Sequence, residues 1–209
     1  MCFPCGQHRH AAQGNLADAV APVAYAIKRT QHAHSLAVYK ATPPSAQAKR
    51  SLSSLAVMFI AFHWECLTGA VGGSFTHIVT VPSTRSRPGP HPLESMVAER
   101  VGLPTLRPIA NPAYPAEDRG FRADRFLLPR VVPEGSRILL IDDTWTTGGR
   151  LQSLAFALKS SGAEAVAAVV LGRHVNPDYE PAKPLINRLR SAPWFDLDRC
   201  ALEDGPPGW

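Results

Sequence analysis

RILLIDDTWTTGGRLQSLAFALKSSG, residues 137–162, decides how the rest of the chain is read. The apolar run from Ile138 to Ile141 does not alternate with polar residues, which predicts a strand buried on both faces. Two acids, Asp142 and Asp143, close that strand, and Thr146, Thr147, Gly148 and Gly149 follow as a turn. Leu151, Leu154, Ala155 and Leu158 then recur at i, i+3, i+4 and i+7, a helix whose stop is Ser161-Gly162. AVAAVVLG, residues 165–172, is a further continuous apolar run and predicts another buried strand. Strand, helix and strand within about 35 residues describe a right-handed parallel βαβ unit, and hence an α/β sheet.

The chemistry of the corner follows from its residue types. Ligands of open α/β sheets collect at the carboxyl ends of strands, where Asp142 and Asp143 stand. Neighbouring carboxylates repel each other, so hydroxyl groups or a cation must compensate them. Glycine lets the backbone approach a ligand closely, and the free amides and dipole of a helix start favour an anion. An acid pair beside an anion nest suits a sugar phosphate: the diol meets the acids, the phosphate meets the amides and threonine hydroxyls. A Walker loop is absent, the acid pair lies too far along the chain for a receiver domain, and Asp142-Asp143-Thr144 does not fit the Asp-x-Asp-x-Thr of haloacid-dehalogenase-type phosphatases.

Working outward, residues 46–69 read as a buried helix ended by glycine, residues 76–82 as a short strand closed by proline, and residues 93–102 as a helix with a glycine stop. Residues 103–134, rich in proline and arginine, predict a flap or short antiparallel hairpin instead of a core layer. The 209 residues fit one elaborated domain. The longest apolar run, residues 55–62, falls far short of the roughly 20 residues that cross a bilayer, so no membrane association and a cytoplasmic location are expected. The formal charge of +5, with arginine far ahead of lysine, suits phosphates and carboxylates, a nucleic-acid surface or a merely solvated exterior. The histidines, among them His8, His10, His32 and His34, are assigned no role.

ILLIDDTWTTGG resembles the phosphoribosyl-pyrophosphate (PRPP) motif of type I phosphoribosyltransferases. The resemblance implies the type I phosphoribosyltransferase fold, a parallel sheet flanked by helices. It also implies one domain in which residues 1–70 build an N-terminal hood and residues 71–209 the PRPP-binding core. It places Asp142 and Asp143 on the ribose hydroxyls with Thr144 beside them, and Thr146, Thr147, Gly148 and Gly149 around the 5′-phosphate. Arg150 departs from the motif, which usually continues with Thr or Ser; it either adds a phosphate contact or faces solvent. By position, the loop 81–89 would hold pyrophosphate through Ser83, Thr84, Arg85 and Arg87, the alternative being an exposed basic turn. The flap 116–126 carries Arg119, Arg122 and Arg125, and Arg119 joins the acids as a catalytic candidate by stabilising the departing pyrophosphate. Mg²⁺ bridging diphosphate and ribose oxygens is the implied cofactor. Thr146 stands where purine-salvage relatives carry aspartate, which disfavours base salvage.

CFPC at the start, YAIKRTQHAHSLAVYK after it and the acid-pair motif together resemble the competence protein ComF group. That group often carries a zinc finger, so Cys2 and Cys5, completed by Cys66 (or His63) and Cys200, are candidate Zn²⁺ ligands. Departures are clear: no cysteine follows Cys5 until Cys66, and VPSTRSRPGPHPLE replaces the group's usual Arg-Gly-Phe-Asn-Gln run. Two functions are open: transfer of ribose 5-phosphate from PRPP to an unidentified nucleophile with release of pyrophosphate, or a non-catalytic PRPP-binding or DNA-uptake accessory role with single-stranded DNA as partner. The oligomeric state is not legible.

Overall fold

The computed structural model describes residues 3–83, 90–191 and 202. Its centre is the predicted βαβ unit: β7 (Ser136–Trp145), α6 (Gly149–Ser160) and β8 (Ala163–Val175). β7 and β8 pair in parallel, with Leu139 opposite Ala167 and Ile141 opposite Val169. On the other side of β7 lies β3 (His77–Thr80), and beyond it β4 (Thr105–Leu106), both parallel.

Alternate residues of β7 feed two cores, as the period of a strand requires. Leu139 and Ile141 pack with α2 (Gln31–Val38) and α3 (Ala46–Phe62) through Leu36, Leu52, Phe59 and Ile60. Ile138 and Leu140 face Leu151, Leu154 and Leu158 of α6. Helices therefore cover both faces of a parallel sheet, the architecture expected from non-alternating apolar strands.

Residues 1–70, read from the sequence as a hood, contribute to the sheet itself. After α1 (Phe3–Ala12), β1 (Ala19–Pro22) and β2 (Tyr25–Ile27) both lie parallel to β8, one after the other: Ala19 pairs with Ala167 and Tyr25 with Arg173. Pro22 closes β1, which pairs only with β8, an edge position where a missing N–H costs little.

Two predicted helices take another form. The helix over 46–69 breaks at His63 (φ −107°, ψ 22°), so α3 and α4 (Trp64–Ala70) meet at 66°. His63 is buried there, its ring 4.7 Å from that of Phe59, and neither glycine nor proline stands at the break. The helix over 93–102 opens as a π-helical turn, Glu94–Ala98, before α5 (Glu99–Val101). It stops at Gly102, whose φ of 78° is the left-handed end the sequence anticipates. The flap returns as an antiparallel pair, β5 (Ile109–Ala110) and β6 (Phe126–Leu127). After β8 the described chain ends in α7 (Lys183–Ser191), which buries Ile186. Among the described residues no single helix is long and apolar enough to cross a membrane.

Candidate functional site

The acid pair and the glycine turn open into one cleft of about 1240 Å³ at the carboxyl end of β7. β7 runs on to Trp145, which is buried and stays paired with β8, so the turn begins only at Thr146. Gly148 then takes φ 79°, and α6 starts with no side-chain cap and no acid in its first turn. A helix start normally recruits a hydroxyl or carboxylate of its own. Here the amides of Thr146, Thr147 and Gly148 make no backbone hydrogen bond among the described residues, and Thr146 is exposed to the cleft. Amides in this position at a helix start can receive an anion.

The acid end is compensated differently. Asp143 is 7% exposed, and its Oδ2 accepts a hydrogen bond from the Tyr39 hydroxyl at 2.7 Å and another from the Lys40 ammonium. Asp142 is half-buried, and its Oδ1 accepts the Asp143 amide at 2.8 Å. Asp142 thus uses one oxygen on a backbone amide and Asp143 one on Tyr39 and Lys40, and the two carboxyl groups also hydrogen-bond to each other. Burial and then the Asp143 charge push the Asp142 carboxyl well above the usual carboxylate range. For Asp143 burial acts upward too, but the Lys40 charge and the hydrogen bonds from Lys40 and Tyr39 outweigh it and hold the group below that range. The pair is split into one acid inclined to keep its proton and one held as a carboxylate.

The flap lies directly on the turn. Thr147 Oγ1 donates to the Arg119 carbonyl at 2.8 Å, and the Arg122 amide donates at 2.9 Å to Ser153 Oγ, which itself donates to the Gly149 carbonyl at 2.7 Å. A methyl group on Gly149 would overlap the Arg119 and Gly120 backbone, so glycine is required for this approach. Phe121 packs edge-on against Phe156 of α6 at 5.6 Å. The Thr147 hydroxyl, expected at the phosphate, gives its proton to the flap.

The flap arginines do not act as a set of three. Arg125 is fully buried, pairs with Asp118 at 2.9 Å and lies 5.4 Å from the Tyr114 ring centre; Arg122 also pairs with Asp118, at 3.2 Å. Asp118 is held below the usual carboxylate range, first by the Gly120 amide and, against burial, by both arginines. Arg119 is the one that lines the cleft without such an ion pair among the described residues. Arg150 turns inward, donating to the Ala116 carbonyl and tying α6 to the flap; burial, then Arg125, lowers its guanidinium pKa.

Asp142, Asp143, Thr144, Thr146, Thr147, Gly148, Gly149, Arg119 and Ser83 all line the one cleft. Thr84, Arg85 and Arg87 lie outside the described residues, as do Cys2, Cys200 and the side chain of Cys5. Cys66 sits half-buried on α4. No group of three His, Cys, Asp or Glu side chains among the described residues is placed to hold a metal. The acid pair in particular does not fit a divalent ion bound directly: one oxygen of Asp143 is taken by Tyr39 and Lys40, and the ammonium would repel a second cation. Sequence reading missed Tyr39 and Lys40 as site residues, although the YK pair was part of the stretch that carried the second resemblance. It also missed the wall formed by Glu94 and Arg107, paired at 2.9 Å along the same cleft.

No protein-family model matches the chain, and no curated protein sequence does. Among solved structures it is similar to adenine phosphoribosyltransferase from Leishmania donovani, at 17% identity over 74% of this chain and 62% of that one, with a TM-score of 0.43. It is also similar to the enzyme from Leishmania tarentolae, at 19% identity over 71% and 65%, with a TM-score of 0.42. The Saccharomyces cerevisiae enzyme, solved with an imino-altritol bisphosphate and adenine, gives 16% identity over 73% and 80%, with a TM-score of 0.43. The chain spans less than two thirds of the length of the two Leishmania proteins. Likenesses this distant carry no information about what this chain binds.

Proposed function

We propose that the cleft binds PRPP and that the protein transfers its ribose 5-phosphate to a nucleophile, releasing pyrophosphate. The observation that supports this most is the pairing, within one cleft, of two adjacent acids and a helix start where the amides of Thr146, Thr147 and Gly148 make no backbone hydrogen bond among the described residues. A furanose phosphate has this shape: two vicinal hydroxyls at one end and a dianion at the other. The Asp143 carboxylate accepts from one hydroxyl, and Asp142, inclined to keep its proton, can donate to or accept from the other. Thr146 and the amides of Thr146, Thr147 and Gly148 would hold the 5′-phosphate. Arg119 is the flap residue positioned to meet charge on the leaving group, and the flap packed on α6 keeps water from the reacting carbon. Catalysis would then rest on positioning and electrostatic stabilisation.

Heating the protein with PRPP, ribose 5-phosphate or free nucleobases tests the reading. PRPP and ribose 5-phosphate should raise the melting temperature and nucleobases alone should not, while Asp142→Asn with Asp143→Asn should abolish the protection. Protection by none of the sugar phosphates would overturn it. Pyrophosphate release with a panel of bases and amines then separates a transferase from a protein that only binds PRPP.

A further inference from the structure

The acid end of the cleft carries its own cation. Lys40 follows α2 directly and is 31% exposed at the side chain, so its ammonium reaches Asp143 from the cleft wall and does not lie behind it in the core. Tyr39, fully buried, fixes the same carboxylate oxygen from the side of the core. Together they offset the Asp143 charge beside Asp142, the acid inclined to keep its proton, and both acids line the cleft. Adjacent buried carboxylates need such an offset before a neutral diol can bind between them, and a divalent ion is the usual alternative source.

We infer that Lys40 is a built-in counter-cation, which makes recognition of the ribose diol at Asp142 and Asp143 independent of any divalent metal ion. The inference rests on the sugar-phosphate reading given above. It assigns Lys40 as a positioning residue that acts through Asp143, with Tyr39 holding the carboxylate in register. The groups facing the acids from the surrounding elements are Tyr39, Lys40 and, more distantly, His91 and the Arg150 guanidinium, both of which also line the cleft.

The test uses ribose 5-phosphate, because it has the diol and the phosphate but lacks the diphosphate that chelates magnesium in solution. Its dissociation constant, measured by calorimetry on the full chain, should agree within about twofold in EDTA and in magnesium, a difference too small to represent a lost ionic contact. Lys40→Met should weaken binding in EDTA by about tenfold, as expected for one charge-assisted contact, with magnesium restoring most of the loss. Lys40→Arg should keep the wild-type independence, which controls for any disturbance of the fold. Wild-type binding that requires magnesium would overturn the inference and leave the sugar-phosphate reading standing. A Lys40→Met loss that magnesium does not restore would also overturn it, since Lys40 would then be touching the ligand and not serving the acids. Absence of binding under both conditions would remove the underlying reading and the inference with it.

Discussion

The two ends of the cleft solve opposite problems. At the acid end, Asp142 and Asp143 are satisfied from within: Tyr39 and Lys40 arrive from the far side of the chain, and a backbone amide takes the remaining contact. At the turn end, the start of α6 has only the long contact from the Gly149 amide to Thr147 Oγ1, because Gly148, at φ 79° and against the Trp145 ring, leaves no room for a capping side chain. Stability would favour closure at both. The difference teaches that the acids are compensated by side chains from elsewhere in the chain, while the turn keeps amides without a backbone partner among the described residues.

Substitutions can break or sharpen this contrast. The largest effect is expected at Gly149, where a methyl group must displace the Arg119–Gly120 backbone. Gly149→Ala should destabilise by about 3 kcal/mol and lower the melting temperature by roughly 6–12 °C, with amide exchange accelerating across the flap. An unchanged melting temperature would mean that the flap does not rest on the turn. Tyr39→Phe removes one of the two donors to Asp143 and should cost about 1 to 1.5 kcal/mol near neutral pH. Because the folded Asp143 pKa lies below its ordinary 3.8, the stabilisation is present above that value and is lost as pH falls through the folded pKa. The gap between Tyr39→Phe and wild type should close over that acid window in a urea titration.

Asp142→Asn has the opposite sign. Asparagine keeps the acceptor for the Asp143 amide but carries no charge, so the variant should gain about 1 kcal/mol at neutral pH. The folded pKa of Asp142 is raised, so its favourable contribution exists below 3.8 and is lost as pH rises through the folded value. The advantage of the variant should therefore grow with pH across that interval, and an advantage independent of pH would contradict the assignment. The smallest change is expected for Arg122→Ala. That side chain is half exposed, its ion pair with Asp118 is i,i+4, and Arg125 keeps Asp118 occupied, so melting should move by no more than about 0.5 kcal/mol in equivalent stability.

How far the sequence carried each end also differs. The turn end is local: strand, acids, glycines and helix follow one another in residues 137–162, and each leaves a signal of its own. The compensation of the acids is not local. Nothing in residues 31–40 marks Tyr39 and Lys40 as partners of a carboxylate on β7, since a charge pair made by tertiary approach has no periodicity. β1 and β2 were missed because four and three residues are too few to show a period, and Pro22 reads as a breaker. The break at His63 is not legible because no glycine or proline stands there to mark it. In the flap the spacing of the arginines was visible, but their division of labour depends on Asp118, whose reach to both was not.

β8 accepts two short strands in succession along one edge, and its own residues come nearly last in the described sheet. During synthesis the first strands of the chain therefore emerge without a partner and must wait for almost the whole sequence before they can add to the sheet. A topology that joins its beginning to its end in this way folds slowly, because the longest loop has to close before its pairing is rewarded. A rearranged chain that places β1 and β2 next to β8 in the sequence should refold faster, with a smaller change in the stability finally reached.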